Sequence, residues 1–367
     1  MPDMYFHQEL HEDCGCSAYI VGSRPAREVM VVDPAVEIEP YLELTRQHGF
    51  RILSVIDTHI HADHVSGARA LAAATGAELC LHRSAEVGFP FRPLDDGDEL
   101  HAGQVRLRVL HTPGHRPEAI SLLVINDARS HEPSMVLTGD TLLVGDVGRP
   151  DFGGEAGARS LFQSVNRLLE LPDWVEVFPG HFDGPCGKGM CGRPSTTIGF
   201  ERRYNPVLEP LREQPDGAEQ AFVQLISGTV PAKPLNMDAI IATNVGQMAA
   251  GWASPHGMDP VPELALEAAP AFIAEKRPFI VDVREPHEYA AFHLPGAVSI
   301  PQCELADRLA ELPRDGELLI VCQSGARSER ATRFLRQQGF ANAVNLVGGS
   351  GGWKERGYPL EEGQPVA

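Results

Sequence analysis

Short apolar runs alternate with helix-spaced segments over the first two thirds of the chain. Val29-Met30-Val31-Val32 and the run from Ile52 to Ile56 predict short buried strands. Val105, Leu107 and Val109 alternate with polar neighbours and predict a half-exposed strand. Ile120 to Ile125 and Met135 to Thr138 continue the series. Between them, Ala68 to Thr75 predicts a helix with Gly76 as its C-cap. Leu161, Val165, Leu168 and Leu169 have the i, i+4, i+7, i+8 spacing of a helix with one buried face. Up to about residue 235 this is the pattern of an α/β domain with helices packed on sheets.

From Trp252 to Pro262 the pattern breaks, with three prolines and little apolar periodicity, which predicts a linker. The remaining stretch is long enough for one small domain. In it Phe279-Ile280-Val281 and Leu318 to Val321 predict buried strands, and Arg327 to Gln338 a helix ended by Gly339. No internal repeat or low-complexity tract is visible.

Composition narrows the class. A length of 367 residues suggests two domains. With 43% apolar and 22% charged residues the chain is expected to fold. A net charge of −19 argues against nucleic acid as a partner, because such binding rests on basic surface. No apolar stretch approaches the ~18 residues of a membrane helix, so no membrane partner is expected. The N-terminus lacks the pattern of a secretory signal. Seven scattered cysteines, an odd number, fit a reducing compartment better than a disulfide framework, so a cytoplasmic location is expected. A homo-oligomer is left open.

The first chemical signal follows the Ile52 to Ile56 strand. Thr58-His59-Ile60-His61-Ala62-Asp63-His64 puts three histidines and an aspartate in six residues at a strand end. His115 follows Thr112-Pro113-Gly114, Asp140 follows Leu137-Thr138-Gly139, and His181 follows Phe178-Pro179-Gly180. Turns after strands aim side chains off a sheet edge, where α/β enzymes place their sites. Seven candidate ligands suit a dinuclear hydrolase, while three would suffice for a mononuclear iron site with open positions.

This set resembles the metal ligands of the metallo-β-lactamase superfamily, over about residues 1–250. The resemblance implies a four-layer αββα sandwich with metal at the edge of its two sheets. Gly145-Asp146-Val147-Gly148-Arg149-Pro150-Asp151-Phe152 further resembles the segment after the metal aspartate in persulfide dioxygenases. That family implies one Fe(II) per chain, held by His59, His115 and Asp140. His61, Asp63, His64 and His181 would then line an unfilled second site. Two histidines and a carboxylate leave positions open for a persulfide sulfur and O2. Arg149 has two readings, a grip on a substrate carboxylate or a salt bridge with Asp151. Lys188 and Arg193, in the Gly-rich segment after His181, are candidates for binding the glutathione carboxylates. Cys14, Cys16, Cys186 and Cys191 do not have paired-knuckle spacing and are expected to be free thiols rather than a zinc site.

The second signal is Cys322-Gln323-Ser324-Gly325-Ala326-Arg327-Ser328, between an apolar strand and a helix. A cysteine there sits among backbone N–H groups and the positive end of a helix dipole, which stabilise a thiolate. The loop amides of Gln323, Ser324, Gly325 and Ala326 can cradle an anionic substrate. Arg327 is expected to reach the loop, whereas Arg333 and Arg336 are expected to be solvated or paired with acids. Cys303 reads as a packed thiol. The loop resembles that of rhodanese domains, with Cys322 as the persulfide-carrying nucleophile. Val281 to Tyr289 and His293 to Pro301 resemble the other two hallmarks of that family. The six-residue length from Cys322 to Arg327 goes with sulfur substrates there. The resemblance implies a small α/β domain with a parallel sheet.

The whole resembles persulfide dioxygenase–rhodanese fusion proteins, with domains at 1–250 and 265–361 and a linker at 251–264. It implies sulfane sulfur transfer between thiosulfate and glutathione, and oxidation of glutathione persulfide by O2 to sulfite. Tethering would raise the local concentration of the shared intermediate. Two alternatives stand beside it. One is a glyoxalase II-like dinuclear thioester hydrolase with an accessory rhodanese domain. The other is a sulfur carrier whose metal domain is vestigial.

Overall fold

A computed structural model describes the chain except for residues 1–2, 12–14, 151–152, 183–191, 214–215, 229–236, 248–260, 303, 306–307 and 364–367, and the side chains of 326, 330 and 337. Lys188, Cys14, Cys186, Cys191, Cys303, Asp151 and most of the expected linker lie outside the described residues. The chain divides into two compact units, Met1–Pro255 and His256–Ala367.

The first unit has two six-stranded sheets. Strands β1 (Met4–His11), β2 (Cys16–Ser23), β3 (Glu28–Val32), β4 (Arg51–Ile56), β5 (Glu78–His82) and β6 (Arg92–Leu94) run side by side in that order. The second sheet contains β7 (Glu99–Ala102), β8 (Val105–His111), β9 (Ile120–Asn126) and β10 (Met135–Gly139). A short hairpin follows, β11 (Leu142–Leu143) and β12 (Asp146–Val147). Then β13 (Glu176–Pro179) pairs parallel to β10, and β14 (Thr196–Thr197) closes that edge.

Helices cover both outer faces. On the first sheet lie α1 (Glu39–His48) and α2 (Ala68–Thr75), which ends at Gly76 with φ 72° as its spacing predicts. On the second lie α3 (Gly154–Leu169), α4 (Ile198–Tyr204), α5 (Glu209–Glu213) and α6 (Ala218–Ser227); α7 (Met237–Asn244) follows. Alternate strand residues face opposite ways. Val124 and Leu137 meet Met30 and Ile56 between the sheets, while Leu123 and Val136 meet Leu161, Val165 and Leu168 of α3. Ile20, Val31 and Val55 meet Tyr41 and Leu71 on the other outer face. Coverage on both faces explains the near-continuous apolar runs, and the result is a four-layer αββα sandwich.

The expected half-exposed strand is a correction. β8 is buried along most of its length, Arg106 included at 7% exposure. Arg106 is tolerated there because its guanidinium pairs with Glu99 and Asp127. Leu169 is only half-buried on the face that Leu161, Val165 and Leu168 bury.

The second unit holds one parallel sheet of five strands. In chain order they are β15 (Glu263–Leu264), β16 (Phe279–Asp282), β17 (Val298–Ser299), β18 (Leu318–Val321) and β19 (Ala343–Leu346). The helices are α8 (Ala269–Lys276), α9 (Pro286–Ala291), α10 (Ala326–Gln337) and α11 (Gly349–Glu355). Val281 and Ile320 pack against Phe334 and Leu335 of α10. Ile280 and Leu319 face Tyr289 and Trp353 on the opposite side.

Candidate metal centre and sulfur-transfer loop

Strand ends deliver the metal-type side chains. β4 runs into the segment from Asp57 to His64, β8 into the turn before His115, β10 into Asp140 and β13 into His181. Three clusters of donors result, each with its ligand atoms within 4.8 Å of one another.

His59, His115 and Asp140 form the first cluster. The Nε2 atoms of His59 and His115 lie 3.8 and 3.7 Å from Asp140 Oδ2. Each ring's other nitrogen is engaged. His115 Nδ1 donates to the Arg149 carbonyl at 2.9 Å. His59 Nδ1 donates to Thr58 Oγ1 at 3.0 Å, because Thr58 gives its own proton to Asp33 at 2.8 Å. Such outer contacts fix tautomer and ring orientation. Gly148 abuts this support, since a Cβ there would sit 1.8 Å from the Asp140 carbonyl and 3.0 Å from His115 Cβ.

His59 Nε2 and Asp140 Oδ2 are buried and have no hydrogen-bond partner among the described residues. Buried polar atoms normally have partners. Two imidazole nitrogens and one carboxylate oxygen facing a common point are the donor set of a metal ion with open positions. Burial pushes the His59 and His115 rings below the usual imidazole range, with the charge of His61 adding to the effect at His59. Burial opposes the charge on Asp140, but His181, His59 and His115 outweigh it and hold the carboxyl low. The trio therefore presents neutral rings and an anionic carboxylate, the protonation states a cation needs.

Beside it lie Cys16, Asp63, His64 and His181. His181 bridges two carboxylates, Nδ1 to Asp140 Oδ1 and Nε2 to Asp63 Oδ2, each at 2.7 Å. Cys16 Sγ is 3.2 Å from His181 Nε2 and 3.5 Å from His64 Nδ1. Burial works against the Asp63 charge, yet His64 and His181 hold its carboxyl well below the usual range.

His61 belongs to neither group. It clusters with Asp33 and Asp57, its Nε2 3.2 Å from Asp33 Oδ1. Burial opposes its charge, but the bond and charge of Asp33 push the ring up to about 9. Burial pushes Asp57 up to about 6.

Asp33 escaped the sequence reading, and Cys16 was expected only as a free thiol, not beside these ligands. Asp33 follows the Val29 to Val32 run, the same strand-end context that marked Asp140. It holds φ at 49° and takes the Thr58 amide at 2.6 Å. Strain of this kind persists only where the surroundings over-determine it. Arg149 is nearly buried at 9% exposure, and Arg193 is exposed.

In the second unit, Cys322 directly follows β18 and is fully buried. Gly325 N–H donates to its Sγ at 3.1 Å, and Ser328 Oγ lies 3.3 Å from it. Ser328 is also 2.7 Å from Asn345 Oδ1. Gln323 and Ser324 are exposed, and α10 begins at Ala326. The loop rests on the start of α11. The Ser350 amide donates to the Cys322 carbonyl at 2.7 Å and the Gly351 amide to the Gln323 carbonyl at 2.9 Å. Gly349 has φ 53°, and a Cβ there would lie 2.2 Å from the Cys322 carbonyl.

Arg327 turns to Glu288, and Arg333 pairs with Glu329 at 2.8 Å while 6% exposed. Arg336 bonds the Ala343 carbonyl. A guanidinium from outside α10 also touches the loop: Arg284, fully buried, is paired with Asp282 at 2.8 Å and donates to Gln323 Oε1 at 3.2 Å.

This geometry defines a metal-type αββα sandwich joined on one chain to a parallel α/β unit with a buried cysteine at the head of a strand-to-helix loop. Comparison with known families finds the same two parts. Residues 11–181 match the metallo-beta-lactamase superfamily model and residues 266–356 the rhodanese-like domain model. The chain belongs to the metallo-beta-lactamase superfamily and carries a rhodanese-like domain, so the resemblance to persulfide dioxygenase–rhodanese fusions holds. It is 29% identical over 242 residues to the mitochondrial persulfide dioxygenase ETHE1 of Homo sapiens, covering 65% of this chain and 87% of that protein. An uncharacterized protein of Mycobacterium leprae is 34% identical over 223 residues, 53% of this chain and 94% of its own. A metallo-beta-lactamase from Staphylococcus aureus superposes with a TM-score of 0.66 at 26% identity, over 94% of this chain and 99% of that one. No helix among the described residues is long and apolar enough to cross a membrane.

Proposed function

We propose that this chain is a bifunctional sulfur enzyme, with a dioxygenase domain at 1–250, a linker at 251–264 and a sulfurtransferase domain at 265–361. The first oxidises glutathione persulfide with O2 to sulfite and glutathione at one Fe(II), held by His59, His115 and Asp140. The second moves sulfane sulfur between thiosulfate and glutathione through Cys322. The observation that carries the reading is the buried trio, whose His59 Nε2 and Asp140 Oδ2 have no hydrogen-bond partner among the described residues. Similarity to persulfide dioxygenase ETHE1 over this part supports the substrate.

Bound Fe(II) would supply open positions where a persulfide sulfur and O2 meet. The chain's own residues prepare that encounter. Thr58 and the Arg149 carbonyl fix the two imidazole rings, and His181 orients the Asp140 carboxylate from its far oxygen. Arg149, with Lys188 and Arg193, would grip the carboxylates of the glutathione moiety.

At Cys322 the thiolate attacks the outer sulfur of thiosulfate. The S–S bond breaks, sulfite leaves with its electron pair, and Cys322 carries a persulfide. Glutathione thiolate then takes the outer sulfur and Cys322 leaves as thiolate. The Gly325 N–H, 3.1 Å from Sγ, stabilises the Cys322 thiolate that attacks in the first step and leaves in the second.

The test is O2 uptake by Fe(II)-loaded protein given glutathione persulfide, with sulfite counted at the end. Uptake matched one-to-one by sulfite is expected. No uptake by folded, iron-loaded protein would overturn the reading and favour a thioester hydrolase.

A further inference from the structure

The stretch between β4 and α2 carries His59, His61, Asp63 and His64 in irregular backbone, much of it buried. Backbone groups there have no ladder to bond to, and a buried unpaired one is costly. One side chain from far along the sequence meets three of them. Asn244, the last residue of α7, donates from Nδ2 to the His61 carbonyl and to the His64 carbonyl, each at 2.9 Å. Its Oδ1 accepts the Ser66 amide at 3.0 Å. Asn244 is 9% exposed. A carboxamide supplies two donors on one atom and an acceptor on the next, which neither a carboxylate nor a hydroxyl can match.

α7 is anchored apart from this contact. Arg69 of α2 donates to the Thr243 carbonyl at 2.7 Å, and the Gly88 amide to the Val245 carbonyl at 2.7 Å. Val245 and Ile241 pack with Ile60, the residue between His59 and His61. The helix end is thus a fixed post to which the carboxamide ties the loop.

We propose that Asn244 is a positioning residue of the metal centre, clamping the 59–66 loop in the shape that brings His59 to His115 and Asp140. The inference rests on the reading that this trio holds the metal. Residue 244 lies beyond the stretch matched by the metallo-beta-lactamase model, 11–181, so the clamp comes from a later part of the chain.

The test is release of Fe(II) from the anaerobically loaded full chain to a colorimetric chelator, counting only metal that His59→Ala removes. Asn244→Ala is expected to speed release about 10- to 100-fold, the usual effect of losing an outer support. Asn244→Asp is the decisive variant. Its added negative charge attracts a cation, so a field effect alone would slow release, whereas two carbonyls facing a carboxylate would deform the loop and speed it. Wild-type release from both Asn244 variants, or slower release from Asn244→Asp, would overturn the proposal. Failure of the dioxygenase reading shows separately, as iron-loaded wild type that takes up no O2 with glutathione persulfide.

Discussion

Arg327 and Glu288 face each other through two parallel hydrogen bonds, NH1 to Oε2 and NH2 to Oε1, each 2.7 Å. The pair links α10, which follows the Cys322 loop, to α9, which follows β16. Arg327 therefore braces the helix behind the reactive thiol by way of a carboxylate on the neighbouring helix.

The first prediction concerns pH. Burial opposes the charge on Glu288, but the bonds and charge of Arg327 win and hold its carboxyl below the ordinary 4.5. A lowered folded-state value stabilises the fold above the unfolded value, and that contribution fades as pH falls through the lowered one. Glu288→Gln should therefore lower the melting transition of the second unit at pH 7. The gap to wild type should start to close as pH falls below about 4.3, the unfolded value, and vanish only once pH has passed the lowered folded-state value. A gap that stayed constant down to pH 3 would show that the ion pair is not its source.

The second prediction separates the two sites. Cys322→Ser should abolish thiosulfate:glutathione transfer and leave oxidation of supplied glutathione persulfide. Asp140→Ala should lose iron and the oxidation while keeping transfer. Loss of both activities in either folded variant would sink the two-site scheme.

The third concerns Gly148. The Cβ of Gly148→Ala would collide with the Asp140 carbonyl at 1.8 Å and crowd His115. The main chain must shift at both ligands, so iron content should fall sharply while sulfur transfer at Cys322 continues. Metal analysis and the transfer assay on the same preparation check it. Wild-type iron content would show that the close approach has no bearing on the centre.

Much of this architecture was legible because local pattern and final environment agree. Ala68 to Thr75 is a helix between the predicted ends, and the apolar runs at 29–32, 52–56 and 318–321 are strands. The strand-end rule marked seven candidates, the family resemblance singled out His59, His115 and Asp140, and these three lie in one cluster. What the sequence could not show was geometry that depends on partners distant in sequence. His61 lies two residues from His59, yet Asp33 draws it into another group. Arg106 reads as the exposed half of an alternation but is buried by Glu99 and Asp127. Cys16 carries no spacing signal, because its neighbours arrive from residues 63, 64 and 181. Arg284 sits inside a quoted motif, and only the fold shows it touching Gln323.

The contact of Gly349, Ser350 and Gly351 with the Cys322 loop bears on the order in which a growing chain acquires its chemistry. Domains tend to fold as units, N-terminal first, while synthesis proceeds. Every side chain of the proposed metal centre, and Asn244 with them, has been made before the first residue of β15. Cys322 is different. It reaches solution before the backbone that supports its carbonyl, and the thiol loop cannot close until residue 351 has cleared the ribosome. A nascent chain therefore passes through a stage with a complete metal-type unit and a thiol loop not yet supported.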